Sequence, residues 1–434
     1  MSIDLGDRRV AHLLVVGYGI TGQAVCQYAV RQGVRVTVSD RRRLSAADRD
    51  RLAAHGASVE DGRHSEHSLD GVDAVVLSPS VPMTSPLVEE AWRRGLPVCS
   101  ELDLAALASA PVPIVAVTGT NGKSSTVAMI GELLRLQGLR APVVGNVGAP
   151  FIDAAGDTER VDAFVVEASS YQLEQSIVFH PHVGAMLNLE PDHLARHGSM
   201  EAYRAAKGRL FRLQTADDVA ILPSRWADRF REGSARRVWF DRGGAMPAGA
   251  ERFAPHQQAN LRAALCACEA LCAGFDRDGI PIDRIAEVLR LPHRMAVVGR
   301  VGGVRVIDDS KATNPASTVA ALAAVDGASV LLLGGQAKEA GYDALCDAID
   351  ASAVRRVIVF GAAADRLLEL LERRPVERVA GVEEAIRAGL AAARPGDTLL
   401  FSPACASFDA YRNFEERGEA FARAVRALPA FSAD

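Results

Sequence analysis

The segment GTNGKSS, residues 119–125, has the residue types of a loop that binds phosphate groups. It follows a strand-like apolar run, IVAVT, and precedes a helical pattern. Backbone N–H groups in such a loop surround phosphate oxygens, and the helix N-terminus adds positive charge. The ammonium of Lys123 then reaches the terminal phosphates, and the hydroxyl of Ser124 binds Mg²⁺. The pattern predicts a nucleotide site made of Gly119, Thr120, Asn121, Gly122, Lys123, Ser124 and Ser125, although the loop is one residue shorter than the usual GxxxxGKS.

Lysine is rare in this chain, and its positions are informative. Only four of the 49 cationic residues are Lys, and the other 45 are Arg. A GC-rich coding bias depletes lysine, but it does not explain which lysines remain. An exposed cation is readily Arg, whereas a compact point charge, or an amine that loses its proton, requires Lys. Each lysine is therefore a candidate site residue: Lys123, Lys207, Lys311 and Lys338.

Acidic and imidazole groups follow two further predicted strands. Glu167 ends the run FVVE, and Asp192 and His193 follow GAMLNL. The carboxyl ends of parallel strands deliver side chains to the ligand-binding edge of a sheet. Because Mg²⁺ takes few protein ligands and completes its shell with phosphate and water, these residues predict a magnesium site beside the phosphate loop. His193 and His197 resemble half a zinc site, but no third ligand is suitably spaced.

The motif GYGITG, residues 17–22, follows the first strand-like run, and Asp40 ends the second. This arrangement is close to the dinucleotide-binding fingerprint, in which an acid binds a ribose hydroxyl. Alone, the motif indicates a turn that accommodates a nucleotide or phosphate, and it leaves an NAD-dependent oxidoreductase as a rival hypothesis. Arg41, Arg42 and Arg43 either bind a ligand phosphate or form a solvated charged surface.

Three motifs in the last third of the chain also coincide with the ends of predicted strands. They are IDDSKATN (307–314), LLLGGQAK (331–338) and SPACASFDAYRNFEERG (402–418). All three fall at the ligand-binding edge of one predicted sheet.

The elements that position these residues alternate between strand-like runs and amphipathic helices, which is typical of an α/β fold with parallel sheets. We expect three domains, covering residues 1–110, 111–293 and 294–434, with breaks at PVP (111–113) and LPHR (291–294). The predicted strands include residues 13–17, 34–39, 73–78, 114–119, 143–145, 164–169, 183–189, 219–223, 304–310, 329–335, 355–361 and 397–402.

The composition excludes several classes of protein. The chain has 434 residues, of which 49% are apolar and 24% charged, as in ordinary globular proteins. A net charge of −5 provides no basic surface for a nucleic acid. No apolar run approaches the ~18–20 residues that span a bilayer, and the N-terminus lacks the pattern of a signal peptide. Seven scattered cysteines indicate reduced thiols, so we expect a cytoplasmic protein, and a monomer.

Taken together, the motifs resemble those of the Mur ligase family over essentially the whole chain. The matching segments are, in order, GYGITG, LSPSVP, VTGTNGKSS, GNVG, EASSYQLE, LNLEPDHLARHGSMEAYRAAK, PHR, DDSKATN, LLLGGQAK and SPACASFDAYRNFEERG. The resemblance implies a Rossmann-like N-terminal domain, a central P-loop ATPase domain with a mainly parallel sheet, and a Rossmann-like C-terminal domain. These would bind a UDP-linked substrate, ATP and glutamate respectively.

The activity implied by the resemblance is an ATP-dependent, ADP-forming amide ligation in peptidoglycan precursor synthesis. Glutamate, expected to be D-glutamate, would be added to UDP-N-acetylmuramoyl-L-alanine through an acyl phosphate. ATP and two Mg²⁺ ions would take part, and CO₂ would carbamylate Lys207. Negative charge builds up in such transition states, so positioned cations should carry most of the catalysis.

Site residues follow from the same resemblance. The UDP-linked substrate would contact Ile20, Thr21, Arg41, Arg42, Ser80, Asn146 and His193. ATP would contact the phosphate loop together with Asn260, Arg294 and Asp309. The metal ligands would be Ser124, Glu167, His193 and Lys207 as its carbamate. Glutamate would contact Thr313, Lys338, Ser407, Phe408 and Phe414. The catalytic residues would be Lys123, Lys207, His193 and Lys311.

The chain departs from the family pattern at a few positions. Ser80 stands where a glycine is usual, Gln257 replaces an asparagine, and Ala195 replaces an acid. The alternatives are a variant that adds L-glutamate, a ligase like folylpolyglutamate synthetase, and the oxidoreductase named above. The last of these leaves Lys123, Lys207 and the C-terminal motifs unexplained.

Overall fold

The computed structural model describes residues 2–6, 8–242, 244–338 and 341–433. The fold is α/β with mostly parallel sheets, as predicted from the alternation of elements. The chain divides into two compact units. The first runs to Leu189 and resumes over Gly198–Ile285, and the second comprises Glu190–His197 and the residues from Ala286 onward.

The N-terminal elements are β1 (Ile3–Leu5), β2 (Arg8–Val10), β3 (His12–Val16), α1 (Ile20–Arg31), β4 (Arg35–Asp40), α2 (Ala46–Ala54), β5 (Ser58–Asp61), β6 (Ala74–Leu77), α3 (Pro86–Arg93), β7 (Val98–Cys99) and α4 (Glu101–Ser109). β1 pairs antiparallel with β2. The other strands form a parallel sheet in the order β5-β4-β3-β6-β7. Its central strands are apolar on both faces because helices cover both sides.

The middle elements are β8 (Ile114–Thr118), α5 (Lys123–Leu136), β9 (Val143–Gly145), α6 (Phe151–Ala154), β10 (Phe164–Glu167), α7 (Ser170–Gln175), β11 (Val183–Met186), α8 (Leu194–His197), α9 (Met200–Gly208), β12 (Val219–Leu222), β13 (Arg236–Trp239), α10 (Pro255–Leu271) and α11 (Ile282–Val288). The strands form a second parallel sheet in the order β13-β12-β11-β8-β10-β9. This order places β8 and its loop at the centre of the sheet.

The remaining elements are β14 (Ala296–Val301), β15 (Val304–Asp308), α12 (Pro315–Leu322), β16 (Ser329–Gly334), α13 (Tyr342–Ala351), β17 (Val354–Phe360), α14 (Ala364–Leu370), β18 (Val376–Arg378), α15 (Val382–Ala392), β19 (Thr398–Phe401), α16 (Phe414–Arg426) and β20 (Phe431–Ser432). They form a third sheet in the order β18-β17-β16-β19-β15-β14-β20. β14 runs antiparallel to both of its neighbours, and the other pairs are parallel.

Buried acids on α4 connect the N-terminal elements to the middle elements within the first unit. The Asp103 carboxylate accepts hydrogen bonds from the backbone N–H groups of Ile177, Val178 and Phe179 at 2.8–3.1 Å. Glu101 accepts one from the N–H of Ile152 at 2.7 Å. Burial raises the pKa of Glu101 to about 7. The first predicted domain contains the two-stranded and the five-stranded sheet, and each of the other two contains one sheet. The exact domain boundaries stay predictions.

Several predicted strands differ in extent from the observed ones. The strand predicted over residues 183–189 ends at Met186, because Asn188 turns back to bond the phosphate loop. Helix α1 begins at Ile20, within the GYGITG motif. This start is possible because Gly22 has no side chain: a Cβ there would lie 2.0 Å from the Gly17 carbonyl oxygen. Within the described parts of the chain, no helix combines the length and hydropathy needed to cross a membrane.

Candidate functional site

The phosphate loop lies between β8 and α5, where the sequence predicts it. Gly119 and Gly122 both have positive φ, at 152° and 85°. A Cβ on Gly122 would lie 2.5 Å from Oδ1 of Asn260, so glycine lets α10 approach the start of α5. The Lys123 ammonium donates hydrogen bonds to the carbonyl oxygens of Gly119 and Thr120, at 2.9 and 2.8 Å. Asn260, predicted to serve ATP, therefore lies against this loop.

Asn188 holds the loop from the neighbouring strand. Its Oδ1 accepts a hydrogen bond from the Asn121 N–H at 2.7 Å, and its Nδ2 donates to the Asn121 carbonyl at 2.9 Å. The backbone carbonyl of Asn188 accepts a third bond from the Thr120 N–H at 3.0 Å. Sequence reasoning gave Asn188 no role in the site. The scarcity of asparagine, with six in the chain, was the available signal.

Lys207 reaches the same loop from α9, where its side chain is only 1% exposed. Its Nζ donates to the Gly119 carbonyl at 2.8 Å and to Oγ1 of Thr118 at 3.5 Å. It also lies 4.7 Å from the ring centroid of Tyr203, whose hydroxyl contacts Oγ1 of Thr120 at 3.2 Å. Two of the four lysines, Lys123 and Lys207, therefore donate to the same carbonyl oxygen, that of Gly119. Tyr203 was not identified from the sequence, since aromatic residues on helices usually pack in cores.

Glu167 ends β10, which adjoins β8 in the sheet. Its buried carboxylate accepts a hydrogen bond from Nδ2 of Asn146 at 2.9 Å. The Asn146 N–H also donates to the Glu167 carbonyl at 2.9 Å. Gly145 permits this approach, because a Cβ there would lie 2.5 Å from that carbonyl. A residue predicted to bind the UDP-linked substrate is therefore bonded directly to a predicted metal ligand.

A cavity of about 1030 Å³ lies beside the first sheet. Its lining includes Gly17, Gly19, Arg41, Arg42, His64 and Ser80. The Ser80 hydroxyl lies 3.4 Å from that of Ser78, so the side chain that replaces glycine is part of the cavity wall. Ile20 and Thr21 begin α1, and Ile20 is 78% exposed. Three of the seven residues predicted for the UDP-linked substrate line this cavity: Arg41, Arg42 and Ser80.

Asp40 is engaged by the protein itself. Its carboxylate accepts hydrogen bonds from the N–H groups of Tyr18 and Arg42, both at 2.8 Å, and from the Arg42 guanidinium at 3.3 Å. Burial alone would raise the pKa of Asp40, but the bonds from Arg42 and Tyr18 outweigh burial and lower it. The carboxylate that the oxidoreductase hypothesis assigns to a ribose hydroxyl therefore stabilises the turn and Arg42.

In the second unit, Asp192 lies at the centre of a polar cluster. Its carboxylate forms an ion pair with the Lys338 ammonium at 2.9 Å and accepts a hydrogen bond from Nδ2 of Asn314 at 3.2 Å. Nε2 of His193 lies 3.6 Å away, and His193 has a positive φ of 55°. Burial raises the pKa of Asp192, but the charges of His193 and Lys338 outweigh it and hold the pKa below its usual value. Sequence reasoning identified these residues separately and missed their pairing.

Two acids hold the residues on either side of Arg294. They are Asp308, the last residue of β15, and Asp309, which follows it. His293 and Met295, which flank Arg294, both have positive φ, at 58° and 47°. Nδ1 of His293 lies 2.6 Å from Asp308, and the Met295 N–H donates to Asp309 at 3.2 Å. Burial raises the pKa of Asp309 to about 7. These contacts hold the backbone on both sides of Arg294.

The residues predicted to bind glutamate follow β15, β16 and β19. Thr313 and Lys311 are in the loop after β15, and the Lys311 ammonium lies 4.8 Å from the ring centroid of Phe414. Ser407 is buried, whereas Phe408 beside it is 70% exposed. Because β16, β19 and β15 are neighbours in the sheet, these loops share one edge.

All four lysine side chains are buried or half-buried: Lys123, Lys207, Lys311 and Lys338. The sequence argument that the surviving lysines occupy special positions agrees with this placement.

Comparisons with known proteins identify the same three regions. Residues 11–100 match the Mur ligase MurD-like N-terminal domain, residues 117–240 the Mur ligase middle domain, and residues 293–405 the Mur ligase glutamate ligase domain. The UDP-N-acetylmuramoylalanine–D-glutamate ligase of Syntrophotalea carbinolica is 37% identical over 96% of this chain and 98% of its own. The ligase of the same name from Alkaliphilus oremlandii is 35% identical over 96% and 98%.

Solved structures agree on the fold. The MurF ligase of Thermotoga maritima in complex with ADP has a TM-score of 0.58 at 17% identity, covering 97% of this chain and 96% of that one. The UDP-N-acetylmuramate–alanine ligase MurC of the same organism has a TM-score of 0.54 at 17% identity, covering 95% and 98%. The resemblance inferred from the motifs is thereby confirmed, and the chain belongs to the Mur ligase family.

Proposed function

We propose that this enzyme joins D-glutamate to UDP-N-acetylmuramoyl-L-alanine and converts ATP to ADP and phosphate in doing so. The observation that carries the proposal is the likeness, over almost the whole of both chains, to ligases named for this reaction. The proposed course has two steps. A carboxylate oxygen of the alanyl group attacks the γ-phosphorus and ADP leaves. The glutamate nitrogen then attacks the acyl carbon, a proton leaves the amine, and phosphate is expelled.

The phosphate loop supports ATP as the phosphoryl donor. Helix α5 points its N-terminus at the loop, and Gly119 and Gly122 leave room for phosphates close to the backbone. The Lys123 ammonium lies at the loop and donates hydrogen bonds to two of its carbonyl groups. A bound phosphate would replace these carbonyls as its partner. Its role is to balance the charge that spreads over the phosphate oxygens in the transition state.

The oxygen donors near the loop fit Mg²⁺. Ser124 and Glu167 offer a hydroxyl and a carboxylate, both buried. Within the described residues, no group of three or more His, Cys, Asp and Glu forms a candidate metal site. Mg²⁺ suits such a sparse set because phosphate and water complete its octahedral shell. When bound, it neutralises phosphate oxygens during transfer.

We further propose that Lys207 acts as a carbamate. To form the carbamate, the neutral ε-amine of Lys207 attacks CO₂, a C–N bond forms, and a proton leaves to solvent. The product is a carbamate, whose anionic oxygens are two bonds beyond Nζ, and Nζ lies 2.8 Å from the Gly119 carbonyl. A second Mg²⁺ would be held there. The cytoplasmic location and the monomeric state expected from the sequence stay predictions.

Phosphate release tests the proposed function. With ATP, Mg²⁺ and UDP-N-acetylmuramoyl-L-alanine, we expect D-glutamate to start phosphate release and amide formation, and L-glutamate to give little of either. Mass spectrometry of the nucleotide product identifies the new amide. Equal rates with the two enantiomers would contradict the stereochemical part of the proposal. Stabilisation of the fold by NADH but not by ATP would contradict all of it, because only ligands of the folded state raise the melting temperature.

Lys338→Ala is expected to raise the KM for glutamate by about tenfold or more, since a charge-assisted hydrogen bond contributes roughly 1.5–3 kcal/mol. The KM values for ATP and for the UDP-linked substrate should change little. Initial rates at varied concentrations of each substrate measure all three.

The matched control for this change is Arg356→Ala, which removes an exposed cation from β17 in the same unit. Thermal unfolding is measured alongside, because Lys338→Ala also removes the ammonium that pairs with Asp192. A rise in the KM for ATP with an unchanged KM for glutamate would assign Lys338 to the nucleotide.

A further inference from the structure

One arginine in the second unit is enclosed by the loops that end three strands. Arg417 is on α16 and is 1% exposed. Its guanidinium donates four hydrogen bonds: Nε to Oγ of Ser310 at 3.0 Å, and the terminal nitrogens to the carbonyl oxygens of Ser310 at 2.7 Å, Cys405 at 2.9 Å and Gly334 at 3.3 Å. The proposed reaction gives this side chain no role.

The four hydrogen bonds of Arg417 reach three parts of the proposed acceptor site. Ser310 precedes Lys311 and Thr313 in the loop after β15. Gly334 ends β16, four residues before Lys338. Cys405 lies two residues before Ser407 in the loop after β19. One planar group therefore connects the three loops that carry the residues predicted to bind glutamate.

The backbone around Arg417 is shaped for this contact. Gly335 has a φ of 124°, and a Cβ there would lie 2.2 Å from the Ala406 carbonyl and 2.9 Å from the guanidinium. The Ser310 hydroxyl, which accepts from Nε, donates in turn to the Phe414 carbonyl at 2.9 Å. Phe414 begins α16, so the start of the helix is tied to the same loop. Glycine at position 335 is required for the loops after β16 and β19 to close on the arginine.

The oxygens that accept the four bonds are all neutral. A buried charge is costly unless several hydrogen bonds satisfy it, and a planar fork of five N–H donors does so with little loss of side-chain freedom. Burial lowers the pKa of Arg417 to about 10, so the group stays positive at neutral pH. A lysine has the same charge, but its single ammonium lacks the fork that spans three loops.

We propose that Arg417 is a positioning residue for the acceptor amino acid: it fixes the spacing of the loops after β15, β16 and β19, so that glutamate meets preset donors. This inference rests on the proposed function and on the assignment of those loops to glutamate. A site held in its productive geometry before binding loses less entropy when the ligand binds. Loosening the loops should therefore weaken glutamate binding more than binding of the other two substrates.

The test uses Arg417→Lys in the full-length enzyme, with Arg423→Lys as the control. Arg423 is an exposed arginine on the same helix. We expect Arg417→Lys to raise the KM for glutamate by about tenfold, and to leave the KM values for ATP and the UDP-linked substrate nearly unchanged. Acyl phosphate formed without glutamate, trapped with hydroxylamine, should accumulate at the wild-type rate. Arg423→Lys should change none of these quantities.

A second measurement is independent of activity. Hydrogen exchange should become faster in peptides covering residues 310–314, 334–338 and 404–408 of Arg417→Lys, and stay unchanged over residues 114–136. If Arg417→Lys fails to fold, Ser310→Ala removes the hydroxyl that accepts from Nε and donates to the Phe414 carbonyl, and it should give a smaller effect in the same direction.

Three outcomes are distinguishable. Wild-type enzyme that forms no amide with glutamate overturns the proposed function. Active wild-type enzyme with an unchanged KM for glutamate in Arg417→Lys overturns the positioning role. A parallel rise in all three KM values, or a loss of trapped acyl phosphate, assigns Arg417 to general stability and also overturns it.

Discussion

Lys123→Ala is expected to lower the rate of ATP-dependent ligation by about 10³-fold, the effect of removing a preorganised charge at a phosphoryl-transfer site. Two structural facts support this size. The ammonium is held at the loop by the carbonyls of Gly119 and Thr120, and it stands at the N-terminus of α5, where phosphate oxygens would gather. Alanine removes the charge and the hydrogen bonds to these two carbonyls.

The measurement is phosphate release at saturating substrates, together with the melting temperature. The control is Arg135→Gln, which removes an exposed cation from the last turn of the same helix and should leave turnover unchanged. The melting temperature of Lys123→Ala without nucleotide should remain close to that of the wild type. Turnover within about tenfold of wild type, roughly 1.4 kcal/mol of barrier, would show that Lys123 is not the phosphate-binding cation.

Lys207→Arg is expected to lower turnover at least about a hundredfold, because arginine keeps the positive charge but forms no carbamate and so cannot supply an anionic ligand. A free lysine amine, with a pKa of about 10.4, is almost wholly protonated at neutral pH. Carbamylation therefore needs a site that binds the product anion strongly. The location of Nζ next to the phosphate loop, where bound cations would gather, meets this need.

Two experiments separate the carbamate from a simple loss of packing at this buried position. Wild-type enzyme in ¹³C-labelled bicarbonate should show a carbamate carbon signal by NMR, and Lys207→Arg should not. Depletion of CO₂ should lower wild-type activity, and bicarbonate should restore it. Full activity in Lys207→Arg, or no labelled carbamate in active wild-type enzyme, would contradict the proposal. Thermal unfolding checks that arginine fits, since overpacking a core costs about 1–3 kcal/mol.

The sequence was sufficient to predict those parts of the molecule that depend on local patterns. Apolar runs such as residues 13–17 predict buried strands, and their alternation with helices predicts parallel sheets. The positions of Lys123 and Glu167 were predictable, because Lys123 follows a strand and a glycine-rich turn and Glu167 ends a strand. The antiparallel strand β14 was not, because its register depends on contacts distant in sequence.

The supporting contacts were less predictable, because they join residues far apart in the chain. Asn188 holds the phosphate loop from 67 residues away, and Arg417 binds Ser310 from 107 residues away. Gln175 is a further case. Its Nε2 donates to the carbonyls of Ser78 and Val81, and these bonds connect α7 to the wall of the cavity beside the first sheet. An amide or guanidinium side chain in a helix has no local signature of its partner. Such residues emerge only when the fold brings the loops together.

The burial of all four lysines also determines how the protein would respond to amine-selective reagents. Its exposed positive charge is carried by guanidinium groups, which acylating and reductive-alkylating reagents leave intact at neutral pH. The ε-amines that are partly exposed, and can therefore react, are those of the phosphate loop and the proposed acceptor loops. The extent of lysine labelling would therefore act as a footprint of site occupancy: ATP should shield Lys123, and glutamate should shield Lys338. Immobilisation through lysine would block the same positions, so a surface attachment needs a different chemistry.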